Sequence, residues 1–258
     1  MGTGGLARVW AVAANTFRET VRERVLYNLV FFAIIMTASG LLMGQLSVRQ
    51  DEKIIKDIGL AAMELFGTLI AIFIGVGLVA KEIERRSLYP LLAKPLSREE
   101  FFLGKFAGLG FTLLVNVGLM AAGLALTLAG TGRRVDPGLL KAVYPIYLGL
   151  LVVVALALFF STLTSSALAA VFTVGTVVAG RFSDVIRNMR EVTDAPTWLV
   201  RILYYALPNF RNFDFKDRVA YGDPVPFAAI GAVTAYAVVY IAILLLAGSA
   251  AFRSRELS

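Results

Sequence analysis

The sequence predicts an all-α polytopic membrane protein, and three observations support this fold class. The chain is 58% hydrophobic and only 17% charged, whereas roughly a quarter of the residues are charged in a soluble domain. Long uncharged runs occupy residues 25–48, 106–132, 142–180 and 224–252. These runs lack the strict alternation of barrel strands, and backbone groups in lipid must be paired within their own segment, so we expect helices.

Six membrane spans are predicted from these runs. A helix needs about 20 apolar residues to cross the hydrocarbon. Residues 58–80 qualify with one charge, Glu64, and the polar stretch 161–166 divides the run 142–180 into two spans. We predict spans at 25–46, 58–80, 105–130, 142–162, 165–181 and 226–250 within a single transmembrane domain, residues 1–258.

An amphipathic helix is predicted over residues 6–24, before the first span. Its apolar positions recur at spacings of three and four: Leu6, Val9, Trp10, Ala13, Phe17 and Val21. Such a helix lies in the membrane interface, where Trp10 suits the depth of the headgroups. Two roles are open: it anchors the first span, or it is a lever that passes force from a soluble partner.

A charged insert separates the second span from the third. Residues 81–105 hold six basic and four acidic side chains, which cannot lie in hydrocarbon. We therefore expect a loop over 81–104 in water beside the membrane. Its centre, residues 88–93, is apolar and compact, which favours docking to a soluble partner.

Two polar residues lie inside predicted spans. Glu64 follows a short polar loop, residues 47–57, and lies roughly 9 Å below the end of its span. A carboxylate at this depth is costly, so we expect it to face protein or a water-filled cavity, either lining a path or joining two helices. Asn116 also needs a partner; a helix–helix contact is one role, and a place on a translocation path is the other.

The segment 182–225 precedes the last span and is long, mixed in charge and rich in aromatic residues. Residues 196–208 read as a short helix between two prolines. The aromatic side chains that suit a membrane boundary are Trp198, Tyr204, Tyr205, Phe210 and Phe213. We interpret the segment as an external lid over the mouth of the bundle, with a docking surface for an external partner as the alternative.

Composition excludes several chemistries. The chain has no cysteine and no histidine, which excludes disulfides, thiolate nucleophiles, Ser-His hydrolysis and Cys/His zinc sites in this chain. The net charge of +7 is explained by juxtamembrane arginines near anionic lipid, without nucleic acid. With both termini inside, and with segment 181–223 set aside, the basic residues number twelve inside and six outside. This asymmetry favours cytoplasmic termini.

The combination of these features resembles the permease subunit of type-2 ABC exporters. The features are the interfacial helix, six spans, the charged insert and the long segment before the last span. The closest local similarity is Glu82-x-Glu84, then residues 91–98, then Gly104-Lys105, and residues 15–19 near the start also fit. The resemblance covers essentially the whole chain.

The resemblance implies that the insert is a coupling helix resting on an ABC ATPase subunit. The implied coupling residues are Glu82, Glu84, Arg85, Arg86, Ser87, Leu88, Tyr89, Leu91, Leu92, Pro95 and Arg98. It further implies a homodimer in the cytoplasmic (inner) membrane, with ATP and Mg bound by the partner. The chain itself lacks a phosphate-binding loop, because Gly104-Lys105 has no upstream glycine and is followed by Phe106. A non-transporting membrane scaffold and a membrane enzyme are the alternatives.

Overall fold

The computed structural model describes residues 3–23, 31–39, 51–84, 97–132, 136–183 and 206–255. Within these ranges the regular structure is helical and no strand occurs. The helices are α1 (Thr3–Glu23), α2 (31–39), α3 (Asp51–Glu84), α4 (Arg98–Gly130), α5 (Leu140–Leu163), α6 (Ser166–Arg181), α7 (Lys216–Tyr221) and α8 (Phe227–Arg255). Short 3-10 turns occupy Pro137–Leu139 and Phe210–Phe213.

Four of the described helices are long and apolar enough to cross a membrane. The spanning stretches are Glu52–Gly77, Glu99–Gly130, Pro137–Leu163 and Phe227–Ala251. Helix α6 is apolar but has only 16 residues, and the described part of the predicted first span is limited to 31–39. The helical membrane class is thus confirmed, while the count of six spans stays a prediction.

Helix α5 forms the centre of the bundle. Among the described residues, 72% of the most apolar stretch of α5 is buried, against 22% of the corresponding stretch of α8. Along α3, Gly67 meets Leu150 of α5 and Gly75 meets Ala157, so α3 and α5 run in the same direction. We call the end at which α3, α5 and α8 begin the upper end, and the opposite end the lower end.

Helix α3 begins at Asp51, so the predicted polar loop over 47–57 is wrong for residues 51–57. Near this start, Lys56 is 5% exposed and its Nζ lies 2.6 Å from Oε1 of Glu52, one helical turn away. A helix of 34 residues is about 51 Å long, well beyond the roughly 30 Å of a hydrocarbon core. Its polar first turns therefore extend the helix past the predicted span.

The helices on either side of the charged insert also extend beyond the predicted spans. Helix α3 continues to Glu84 and α4 begins at Arg98, so the predicted loop over 81–104 is wrong for residues 81–84 and 98–104, and residues 85–96 lie outside the described residues. The start of α4 is fixed by a capping box, in which the Glu100 N–H donates to the Ser97 hydroxyl and the Ser97 N–H donates to the Glu100 carboxylate. The Ser-x-x-Glu spacing in the sequence is the signal for this start, which the predicted loop over 81–104 missed.

Candidate functional site

Helix α1 packs closely along the first turns of α4, and two glycines permit the approach. A Cβ atom at Gly104 would lie 2.7 Å from Cβ of Val12, and one at Gly108 would lie 2.6 Å from the carbonyl oxygen of Ala13. Small residues four apart let helix backbones come together in this way. The two glycines therefore serve packing inside the subunit.

An ion pair and an aromatic contact stabilise the same interface. Nη2 of Arg8 lies 3.0 Å from Oε1 of Glu100, and the rings of Phe17 and Phe111 meet edge to face with centroids 4.7 Å apart. Contacts therefore advance in the same order along both helices, which run in parallel. Because Glu100 also closes the capping box, α1 is joined to the first turn of α4.

Three of the predicted coupling residues lie in the described helices on either side of the insert. Glu82 and Glu84 lie in the last turn of α3, and Arg98 is the first residue of α4. The others lie outside the described residues: Arg85, Arg86, Ser87, Leu88, Tyr89, Leu91, Leu92 and Pro95. The insert thus connects the lower end of α3 to the capped start of α4, beside α1, and its predicted role in coupling stays a prediction.

A charge cluster surrounds Glu64 near the upper end. Oε1 of Glu64 lies 2.7 Å from Nη2 of Arg181, at the end of α6, and Oε2 pairs with Nζ of Lys216, at the start of α7. Nζ of Lys216 is also 3.7 Å from Oδ2 of Asp214. The Glu64 and Lys216 side chains are 15% and 14% exposed. One carboxylate therefore joins three separate parts of the chain.

Depth explains why Glu64 needs both cations. It lies seven residues beyond Asp57 on α3, about 10 Å along the helix axis. A carboxylate in hydrocarbon is costly unless it pairs with another group, and here two cations face it across the protein. Sequence reasoning missed both partners, since Lys216 is 152 residues away. A signal was present, because a lone acid in a span calls for a cation and Arg181 closes an apolar run at the same predicted level.

Residues 206–225, which we call the inserted segment, place several apolar side chains between the helices. Phe213 is 4% exposed; it lies against Gly149 of α5 and has its ring centroid 5.9 Å from that of Tyr236 in α8. Gly149 is nine residues from the start of α5, about 14 Å along the axis. Phe210, Phe213 and Phe215 of this segment are therefore buried, whereas Tyr221 is exposed, and the external placement of the segment stays a prediction.

Two tyrosines of α8 satisfy the irregular backbone of the inserted segment. The Tyr236 hydroxyl accepts a hydrogen bond from the N–H of Asn209 at 2.8 Å, and the Tyr240 hydroxyl donates to the carbonyl oxygen of Ala206 at 2.8 Å. Non-helical backbone at membrane depth requires such partners. Of the predicted lid residues, Phe210 is buried beside Gly180, and Trp198, Tyr204 and Tyr205 lie outside the described residues.

Asn116 lies at the middle of α4 and is 0% exposed. Among the residues that the structure describes, neither its amide nitrogen nor its amide oxygen has a hydrogen-bond partner. The predicted helix–helix hydrogen bond is thus not formed between described residues. A buried amide without a partner is rare, which makes Asn116 a candidate for a contact made in another conformation. Its place on a translocation path stays a prediction.

A family model described as ABC-2 family transporter protein matches residues 10–183. This range is more than half of the 258 residues and includes α1 from residue 10 onward, the insert, Glu64 and Asn116. The chain belongs to the ABC-2 family of transporter proteins. No curated protein matches the chain.

Proposed function

We propose that the chain is the permease subunit of an ABC exporter in the cytoplasmic membrane. In this proposal it forms the translocation path as a homodimer and couples ATP hydrolysis on a separate ATPase subunit to substrate export. ATP and Mg bind the ATPase, and the termini and lower end face the cytoplasm. The observation that supports coupling most directly is the close packing and ion pair between α1 and the first turns of α4, next to the insert.

The insert is proposed to receive the movement of the ATPase. Its apolar centre, residues 88–92, is preceded by Arg85 and Arg86. An apolar knob with arginines at its rim can fill a cleft on a soluble domain and pair with acidic residues there. A shift of the insert would pull on the end of α3 and the start of α4. Because α1 is joined to α4, it would move with α4 as one unit.

The upper end is proposed to act as the outer gate. Glu64 connects α3, α6 and the inserted segment, so a movement that separates these elements must break the ion pairs. In a dimer, two inserted segments would cap a shared path. They would part when ATP draws the lower halves of the two subunits together. In this proposal the ion pairs of Glu64 hold the outer gate closed until that movement.

The coupling proposal is tested by replacing Leu91 in the centre of the insert. Leu91→Asp should leave the chain in the membrane but detach the ATPase, because an unpaired charge buried in an interface costs roughly 2–5 kcal/mol. The measurement is the amount of phosphate-loop ATPase that co-purifies with the tagged permease. Leu140→Asp, the same change at an exposed position in the first turn of α5 at the upper end, is the matched control and should retain the ATPase.

An equal ATPase yield from Leu91→Asp and from the control would contradict the proposal. Transport measured in vesicles with the retained ATPase separates a permease from a scaffold that only transmits conformational change. A scaffold would keep partner-dependent ATP hydrolysis and move no substrate.

A further inference from the structure

Helix α1 runs alongside α4 toward the middle of the bundle. Arg8 of α1 contacts Glu100 in the first turn of α4, and the ring of Phe17 contacts that of Phe111, about three turns further along α4. Arg18 follows Phe17 directly in α1. The level of Arg18 along the bundle is therefore close to that of Phe111, about 20 Å from the start of α4.

Contacts between α4 and α5 place this level near the middle of the membrane. A Cβ atom at Gly110, the residue before Phe111, would lie 3.1 Å from Cδ2 of Leu151 in α5. Leu151 is 11 residues from the start of α5 and 12 residues from its end, about 16–18 Å from each. Half of the hydrocarbon thickness is about 15 Å, so we call this level mid-depth. An arginine side chain reaches about 7 Å, too little to bring the charge of Arg18 to the membrane surface.

The exposed side of α1 is apolar near the lower end and polar at mid-depth. Leu6 and Trp10, near the lower end, are 69% and 73% exposed. Asn15 and Arg18 are also exposed, and their spacing of three residues makes them neighbours on the helix surface. A helix that faces lipid has the opposite order, with apolar side chains at mid-depth and charged ones near its ends. The surface around Asn15 and Arg18 therefore does not suit hydrocarbon.

Other described helices show how a surface that suits lipid looks at mid-depth. Gly248 of α8 lies beside Phe159 of α5. Val239 precedes Gly248 by nine residues and Leu151 precedes Phe159 by eight, so Val239 lies at nearly the same depth as Leu151. Val239 is 59% exposed. Apolar side chains are likewise exposed near this level on α3 and α4, namely Leu69 and Leu114.

We propose that the exposed side of α1 around Asn15 and Arg18 faces water at mid-depth and forms part of the wall of the translocation path. Ionisable residues inside a membrane almost always face the bundle interior or a water-filled cavity, and they mark substrate pathways. Glu19, which is half-buried, adds a second ionisable side chain at this depth. The assignment of the water-facing surface to translocation rests on the proposed function.

The polarity of this wall indicates the class of substrate. The guanidinium of Arg18 has five N–H donors and the amide of Asn15 has two donors and an acceptor. Water and hydrogen-bonding solutes satisfy these groups, whereas an apolar molecule leaves them without partners. The path therefore takes a water-soluble polar solute rather than a lipid. A second copy of the chain is a poorer neighbour for this surface, because it would have to supply acceptors for all of these donors inside the membrane.

The test introduces one cysteine at a time into the full chain, which has no native cysteine, in membrane fragments open on both sides. A charged methanethiosulfonate reagent attacks from water and reacts with the thiolate. Arg18→Cys and Asn15→Cys should be labelled roughly tenfold faster than Val239→Cys, the matched control at mid-depth, because a thiol in apolar surroundings keeps its proton. The reagent is itself a charged solute, so fast labelling also shows that the path admits solutes of this class.

Labelling of Arg18→Cys as slow as that of Val239→Cys would overturn the proposal. A disulfide between two copies through Arg18→Cys, without labelling, would also overturn it and would assign this surface to the contact between copies. If Arg18→Cys does not insert, Asn15→Cys decides in the same way. The measurement needs neither ATP nor the ATPase. Fast labelling together with an ATPase yield that Leu91→Asp leaves unchanged would therefore contradict the proposed coupling but not the water-facing surface.

Discussion

At the residue scale, Glu64 is defined by its partners rather than by its position in an apolar run. Its carboxylate joins Arg181 and Lys216, and removing one member of a buried pair leaves an uncompensated charge. The sequence predicts that Glu64 faces protein or a cavity. It does not predict which cations meet it, because that depends on how α6 and the inserted segment fold back against α3.

Replacing Glu64 tests this cluster. Glu64→Leu should lower the free energy of unfolding by roughly 3–5 kcal/mol, since the largely buried Lys216 loses the nearer of its two carboxylate partners. Adding Lys216→Met should recover part of the loss, because the second change removes the cation that has lost this partner. Thermal unfolding of the purified single and double variants provides the measurement. Strictly additive losses would show that the two side chains do not interact.

Asn116 presents the opposite case, a buried polar group without a partner among the described residues. Asn116→Leu should raise the free energy of unfolding by roughly 1–3 kcal/mol, the cost of leaving such a group unsatisfied. If the amide makes its contact in another step of transport, the same variant should transport more slowly while unfolding at a higher temperature. A variant that unfolds at a lower temperature would show that the amide is already hydrogen-bonded in the resting fold.

At the scale of elements, the close contact between α1 and α4 depends on small residues. Gly108→Leu should destabilise the chain by about 1–3 kcal/mol, because its side chain would meet the backbone of Ala13 and the side chain of Thr16. Gly118→Leu, on the same helix with open space around it, is the matched control and should have little effect. Unfolding temperatures of the two variants in detergent make the comparison, and equal shifts would contradict a tight interface at Gly108.

The ends of the elements were harder to predict than their existence. Apolar runs mark where lipid surrounds a helix, but they do not mark where the helix ends. Helix α3 begins at Asp51, with the Glu52–Lys56 pair in its first two turns, and α4 starts early at the Ser97 capping box. The capping box was readable from residue spacing. The start of α3 was not, since residues 51–57 are polar enough to suit a loop equally well.

At the scale of the whole molecule, the helical membrane class follows from composition, and the place of the inserted segment does not. Residues 206–225 are polar and aromatic enough to lie at the membrane surface. They pack inside because Gly149 and Gly180 leave room for Phe213 and Phe210, and because Tyr236 and Tyr240 satisfy the backbone. These are contacts between distant parts of the chain, which no local pattern records.

The central claim is that ATP hydrolysis on a partner moves the upper end of this chain. Val219 in α7 is 5% exposed, whereas Asp217 two residues earlier is exposed. The chain has no native cysteine, so Val219→Cys gives a single reactive thiol on the inserted segment. Asp217→Cys gives the matched control, which an impermeant thiol reagent should label from outside with or without nucleotide.

The most direct measurement is the rate at which an impermeant thiol reagent labels Val219→Cys in the complex with its ATPase, compared with and without ATP and Mg. We predict that ATP raises this labelling rate by roughly tenfold, because parting of the inserted segments exposes the buried thiol. Adding Leu91→Asp should abolish the increase. Asp217→Cys should be labelled at the same rate with and without ATP. A rate for Val219→Cys that is the same with and without ATP, in a complex that hydrolyses ATP, would contradict the account.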